Sequence, residues 1–135
     1  MTATTTYTFS IIVGGSTAVV RPRVEAALKA EGFGVITEID VQATMRTKLG
    51  IEREPYLILG ACNPSLANRA IEADPSIGAL LPCNVVLREV DGETIVEALN
   101  PMAALGIVGD ETVRAVAEDA TGRLERAIAA LAGPA

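Results

Sequence analysis

The chain has no histidine. That absence removes the usual base of a nucleophilic triad, the commonest proton shuttle near neutral pH and the commonest metal ligand. Any acid or base chemistry must fall to Asp, Glu, Lys, Tyr or Cys. Basic residues are also scarce: 11 Lys and Arg stand against 17 Asp and Glu, a net charge of −6. Nucleic acid and anionic membranes need clustered cations to neutralise phosphates, so neither is an expected partner. The nearest thing to a basic group, Arg46, Lys48 and Arg53, reads as a solvated face. Two cysteines are too few for a four-ligand structural zinc site, unless carboxylates join them or two chains share the ion. The opening residues, MTATTTYTFSIIV, carry no positive charge and too short an apolar run for a signal peptide or a membrane span. The expectation is a cytoplasmic protein with reduced thiols and no cofactor.

What is present suits layered packing. Half of the 135 residues are apolar, but only two Tyr and two Phe are aromatic, so the core must come from Val, Ile, Leu and Ala. The length fits one domain over residues 1–135, with 1–6 expected to fray. Tyr7 to Val13 reads as a strand, followed by a helix capped by Ser16, with Val20, Val24, Ala27 and Leu28 on one stripe and Pro22 complicating its first turns. Gly32 and Phe33 form its stop. Phe33 to Ile39 is a second strand, and Asp40 caps a short helix, Val41 to Leu49, with Val41, Met45 and Leu49 expected inward. Tyr56 to Ala61 reads as a central strand, and Asn63-Pro64 starts a helix that Asp74-Pro75 breaks. Ser76 to Leu81 is a short link. Asp91-Gly92 joins strands Cys83–Val90 and Glu93–Leu99 in a hairpin. Met102 to Gly109 is a small-residue segment suited to covering a pocket or an interface, and Asp110 opens the longest helix. The order β-α-β-α-β-α-β-β-α predicts an α+β domain, two layers deep, with helices on a five-stranded mixed sheet.

The stretch from Tyr56 to Asn84 holds both cysteines, each directly before an asparagine and near a proline. Cys62 ends a strand just before a capped helix, where unsatisfied N–H groups favour a thiolate, so it is the better nucleophile candidate. Against this, free cysteines are usually small buried apolar residues. Asn63 is explained as a helix cap. Asn84 has no such role, and a strand asparagine in an apolar setting needs hydrogen bonds, which makes it a site candidate. Strand order decides whether the thiols meet. An ordinary right-handed crossover makes the two strands parallel and sets the thiols on the order of 20 Å apart; a chain that returns through residues 74–81 makes them antiparallel and neighbours. The first arrangement is the expectation. A second candidate cluster is Glu38, Asp40 and Lys48, able to hold a small polar ligand or move a proton, against a plainer reading as cap and surface ion pair.

The blocks YLILGACNP, IGALLPCNVV, GFGVITEID and NPMAALG resemble the family of domain of unknown function 302 over nearly the whole chain. The residues carrying the resemblance are Glu38, Asp40, Lys48, Tyr56, Gly60, Cys62, Asn63, Pro64, Pro82, Cys83, Asn84 and Pro101, with Asn100 standing where the family pattern has Asp. The resemblance implies a compact, dimeric α+β domain and no assigned activity. Three functional expectations follow. One is a small-molecule-binding or interaction domain that forms a homodimer. The others are a thiol-dependent redox or sulfur-handling protein using Cys62, and soft-metal binding by Cys62 and Cys83.

Overall fold

Local signals set most element boundaries in the computed structural model, which describes residues 5–133. The expectation of a frayed start at residues 1–6 falls mostly outside them. The elements are β1 (Thr8–Gly14), α1 (Thr17–Ala30), β2 (Gly34–Asp40), α2 (Val41–Leu49), β3 (Tyr56–Cys62), α3 (Pro64–Ala73), β4 (Cys83–Val90), β5 (Glu93–Leu99), α4 (Pro101–Leu105) and α5 (Glu111–Ala130). A 3-10 turn over Pro75–Leu80 follows α3. The side chains of Ser16, Asp40, Asn63 and Asp110 each accept a backbone N–H at a helix start, satisfying a donor that has no intrahelical partner. Helix α1 runs through Pro22 and ends in a Schellman turn: Gly32, at φ +85°, lets its own N–H reach Lys29 and the Phe33 N–H reach Leu28.

The strands form one sheet in the order β1-β5-β4-β3-β2, and every neighbouring pair is antiparallel. The α+β class, the five strands and the order of the elements are as read from the sequence. The expected mixture of parallel and antiparallel pairs is corrected. After α3 leads away from the end of β3, the 3-10 turn and residues 81–82 bring the chain back to that same end, so β4 runs against β3. Ala61 therefore stands opposite Cys83. Asp91 and Gly92, both at positive φ, close the β4–β5 hairpin in the mirror-type turn that matches strand twist.

Alternation along the strands sorts the sheet into two faces. Ile11, Leu59, Ala61, Val85, Leu87, Val96 and Ala98 turn inward and are buried. The stripe of α5, from Val113 to Leu131, closes over that face together with the buried Val20, Val24 and Leu28 of α1. The opposite face stays open, with Ile12 and Ile39 half exposed. Helix α2 buries none of its residues, so the expected inward stripe of Val41, Met45 and Leu49 is corrected as well. The helix loops off the end of the sheet, where its cap and its glycine stop fix its length but no layer covers it. Among the described residues, no helix is long and apolar enough to cross a membrane.

Candidate functional site

The residues singled out from the sequence separate to the two ends of β3. At the Tyr56 end the side chains are polar. A cleft there is lined by Ser16, Arg21, Glu38, Asp40, Tyr56 and Glu89, among others. Its charged groups have structural partners. Arg21 pairs with Glu25 at 2.7 Å and with Glu38 across to β2, and these carboxylates, Glu25 foremost, raise the guanidinium pKa above its ordinary value. Asp40 accepts the Ala43 N–H at 2.9 Å as the cap of α2. Glu89 accepts both the N–H and the hydroxyl of Thr17, at 2.7 and 3.0 Å, so a carboxylate of β4 already occupies the positive end of α1. Lys48 lies exposed on α2 and does not line this cleft; the partner of Glu38 is Arg21.

At the Cys62 end the neighbours are apolar. A hollow of about 270 Å³ lies between the end of β3, helix α3, the 3-10 turn, α4 and α5. Its wall includes Phe33, Leu66, Ala70, Leu81, Leu105 and Val116, and no charged side chain borders it. Both cysteines line it, and so does Asn63. The separation expected from a parallel crossover is thus corrected: Cys83 sits opposite Ala61 in the β3–β4 ladder, and Cys62 is the next residue. Strand spacing and rise put their Cα atoms roughly 6 Å apart, but successive strand residues face opposite sides of the sheet, so Cys62 turns away from the face that Ala61 and Cys83 share. Both thiols are free, Cys62 half-buried and Cys83 buried. Burial, with a smaller contribution from Cys62, pushes the Cys83 thiol up to about 11. At neutral pH it is held as the neutral thiol, which makes it a poor nucleophile.

The two asparagines part ways. The Asn63 Oδ1 accepts the Leu66 N–H at 3.2 Å, and its Nδ2 packs so close to Gly32 that an added Cβ would sit 2.8 Å away. Asn63 therefore links the start of α3 to the end of α1 as well as capping. Asn84 is exposed, opposite Gly60 on the outer side of the ladder, which corrects the apolar setting expected for it. Its burial argument falls away.

Sequence reading passed over several wall residues. Ile36 reaches the hollow because β2 bulges between Val35 and Thr37, a shift that no residue type there announces. Leu105 arrives on α4, within the small-residue segment expected to cover a pocket, and Pro82 was visible as a neighbour of Cys83. Among the described residues, no group of three or more His, Cys, Asp or Glu is placed to hold a metal ion.

Comparison with known proteins agrees with this architecture. The crystal structure of an uncharacterized conserved DUF302 protein from Bacillus stearothermophilus superposes with a TM-score of 0.85 at 28% sequence identity, covering 93% of this chain and 98% of that one. No curated protein matches the sequence. The family model described as Domain of unknown function DUF302 matches residues 9–131, nearly the full extent of the fold laid out above, and the chain belongs to that family.

Proposed function

We propose that this domain is a receptor for a small, mainly apolar molecule that occupies the hollow at the Cys62 end of β3. One observation carries the reading: an open hollow of about 270 Å³ lies at this end of the sheet, and its wall is almost wholly apolar. Ligand pockets have this character, a few hundred Å³ of apolar lining with a small number of oriented polar groups. The polar end of β3 supports no such reading, because its charged groups serve the fold. A direct test is titration with benzene and indole, followed by amide chemical shifts. Shifts are expected at Leu66, Ala70 and Leu105, and Ala67→Leu, which fills the hollow, should weaken binding at least tenfold. Shifts scattered over the surface, or binding unchanged in Ala67→Leu, would overturn the reading.

A second reading, self-association as a homodimer, rests on a different observation, the open face of the sheet. There Ile12 and Ile39 are half exposed, with Ile58, Val86 and Ile95 between them and the Arg88–Glu97 ion pair, at 2.7 Å, in their midst. Five strands of about seven residues present a face of roughly 550 Å². Two copies stacked on it would bury about 1,100 Å², which clears the floor of roughly 1,000 Å² for a specific interface but falls short of its standard size. Its reciprocal charges let the same patch serve both sides of a two-fold contact. Light scattering at micromolar concentration should give a dimer that Ile95→Glu dissociates; a monomeric wild type removes this reading.

A further inference from the structure

An apolar wall calls for an apolar ligand, and the size and make-up of the hollow narrow the choice. We infer that the ligand is a free molecule with an unbranched aliphatic chain and an uncharged head, the chain lying in the hollow and the head at its mouth. The inference rests on the receptor reading and goes further by naming the ligand class.

Volume sets the length of the chain. The hollow holds about 270 Å³. An apolar cavity of about 150 Å³ takes one ring of benzene size, so a single such ring would leave nearly half of this one empty. At about 30 Å³ for each methylene, close to the share of one water in the liquid, there is room for about nine carbons.

The wall favours a chain over a ring. Rings are recognised by stacking on aromatic side chains, and among the described residues that line the hollow Phe33 alone is aromatic. Ala61, Ala67, Ala70 and Ala120 present single methyl groups from β3, α3 and α5, which leaves a smooth wall. A chain that rotates about each bond can follow such a wall and fill it, whereas a rigid ring touches it only where the shapes coincide.

Two exposed apolar side chains mark the mouth. Ile36 of β2 and Ile71 of α3 both line the hollow, yet they are 62% and 42% exposed. They stand where the hollow meets solvent, and the outer end of a bound chain covers them. Among the described residues no charged side chain borders the hollow, so a charged head of either sign would sit beside apolar groups with nothing to pair it. A hydroxyl at the mouth keeps its hydrogen bonds to water.

The test is isothermal titration of the full chain with the n-alcohols from butanol to dodecanol. Affinity is expected to rise about fourfold with each added methylene and to level off near nonanol. In Ala67→Leu the added carbons take up part of the hollow, and the break should move to a chain about three carbons shorter. Octanol should bind at least tenfold more tightly than cyclooctanol or octanoate. A steady rise through dodecanol, a break that stays in place in Ala67→Leu, or binding of cyclooctanol or octanoate as tight as that of octanol would overturn the inference. The wild-type series decides even if Ala67→Leu does not fold. Sedimentation with phosphatidylcholine vesicles separates a free ligand from a chain still held in a bilayer: the protein is expected in the supernatant, and its loss to the pellet would overturn the inference as well. Benzene and indole keep the two ideas apart. Shifts at Leu66, Ala70 and Leu105 with these rings, without a break in the alcohol series, leave the receptor standing and sink the ligand class; if neither rings nor alcohols bind, both fall.

Discussion

The two ends of β3 lie within one strand and one hydrogen-bonded ladder, yet they are built to opposite purposes. At the Tyr56 end, Arg21, Glu38, Asp40 and Glu89 converge, and each is engaged with a fixed partner. At the Cys62 end the neighbouring elements bring only apolar residues, two thiols and a capping amide, and they leave a hollow. Clustered charge drew attention in the sequence because it looks chemical. In the structure those charges hold helix ends and strand edges in place, whereas the hollow at the other end borders no charged side chain. A polar group already satisfied by the fold has little left to offer a ligand; apolar surface around a void gains by having the void filled.

The contrast can be broken from either end. The largest effect is expected at Gly60, which sits beside the hollow but is itself tightly packed. A Cβ there would meet Thr37 Oγ1 and lie 2.8 Å from Pro82 Cγ, so Gly60→Val should cost about 3 kcal/mol by urea denaturation. A loss within about 0.5 kcal/mol would mean that the apolar end is loose throughout rather than hollow at one place.

Next comes the pH dependence of the reduced protein. The folded state raises the Cys83 pKa from an ordinary value of 9.0 to about 11, so it favours the protonated thiol more than the unfolded chain does. That contribution is fully present below about pH 9 and is lost as pH rises toward 11, a decline of roughly 3 kcal/mol. Denaturation midpoints should fall over this window in the wild type and fall less in Cys83→Ala. Equal slopes in the two proteins would show that the thiol is not held in an apolar site.

At the polar end, Glu89→Ala removes the carboxylate that receives both donors of Thr17, at the start of α1. Thermal or urea unfolding should register a loss of about 1–2 kcal/mol. No loss would return Glu89 to the pool of uncommitted groups and reopen the cleft as a ligand site. The smallest effect belongs to Arg21→Gln. Its two ion pairs are one-third to nearly one-half exposed, so the expected cost is under about 1 kcal/mol, shrinking further in 1 M salt. A loss that salt does not reduce would mark a buried role for Arg21.

Much of this was legible in the residues themselves. Ser16, Asp40, Asn63 and Asp110 announced helix starts because a short polar side chain before an apolar stripe can do little better than cap. Asp91-Gly92 announced the hairpin because only such residues tolerate positive φ in succession. Cys62 and Cys83 stood out, but their proximity did not, since nothing local to residues 74–82 states which way the chain turns after α3. The apolar setting expected for Asn84 failed for a related reason. A strand alternates faces, and which face is covered depends on helices contributed from elsewhere. Lys48 was grouped with Glu38 and Asp40 by closeness in sequence, while Arg21, seventeen residues before Glu38, is the cation that reaches it.

Residue order and composition were enough for the elements, their succession, the aliphatic core and the lack of imidazole chemistry, because capping, turn and periodicity signals act over a few residues and composition acts over none. It took the assembled fold to show that β4 runs against β3, that both cysteines line one hollow, and that the charges at the other end have partners. Those outcomes depend on contacts between residues far apart in the chain, whose energies are set by which surfaces finally meet.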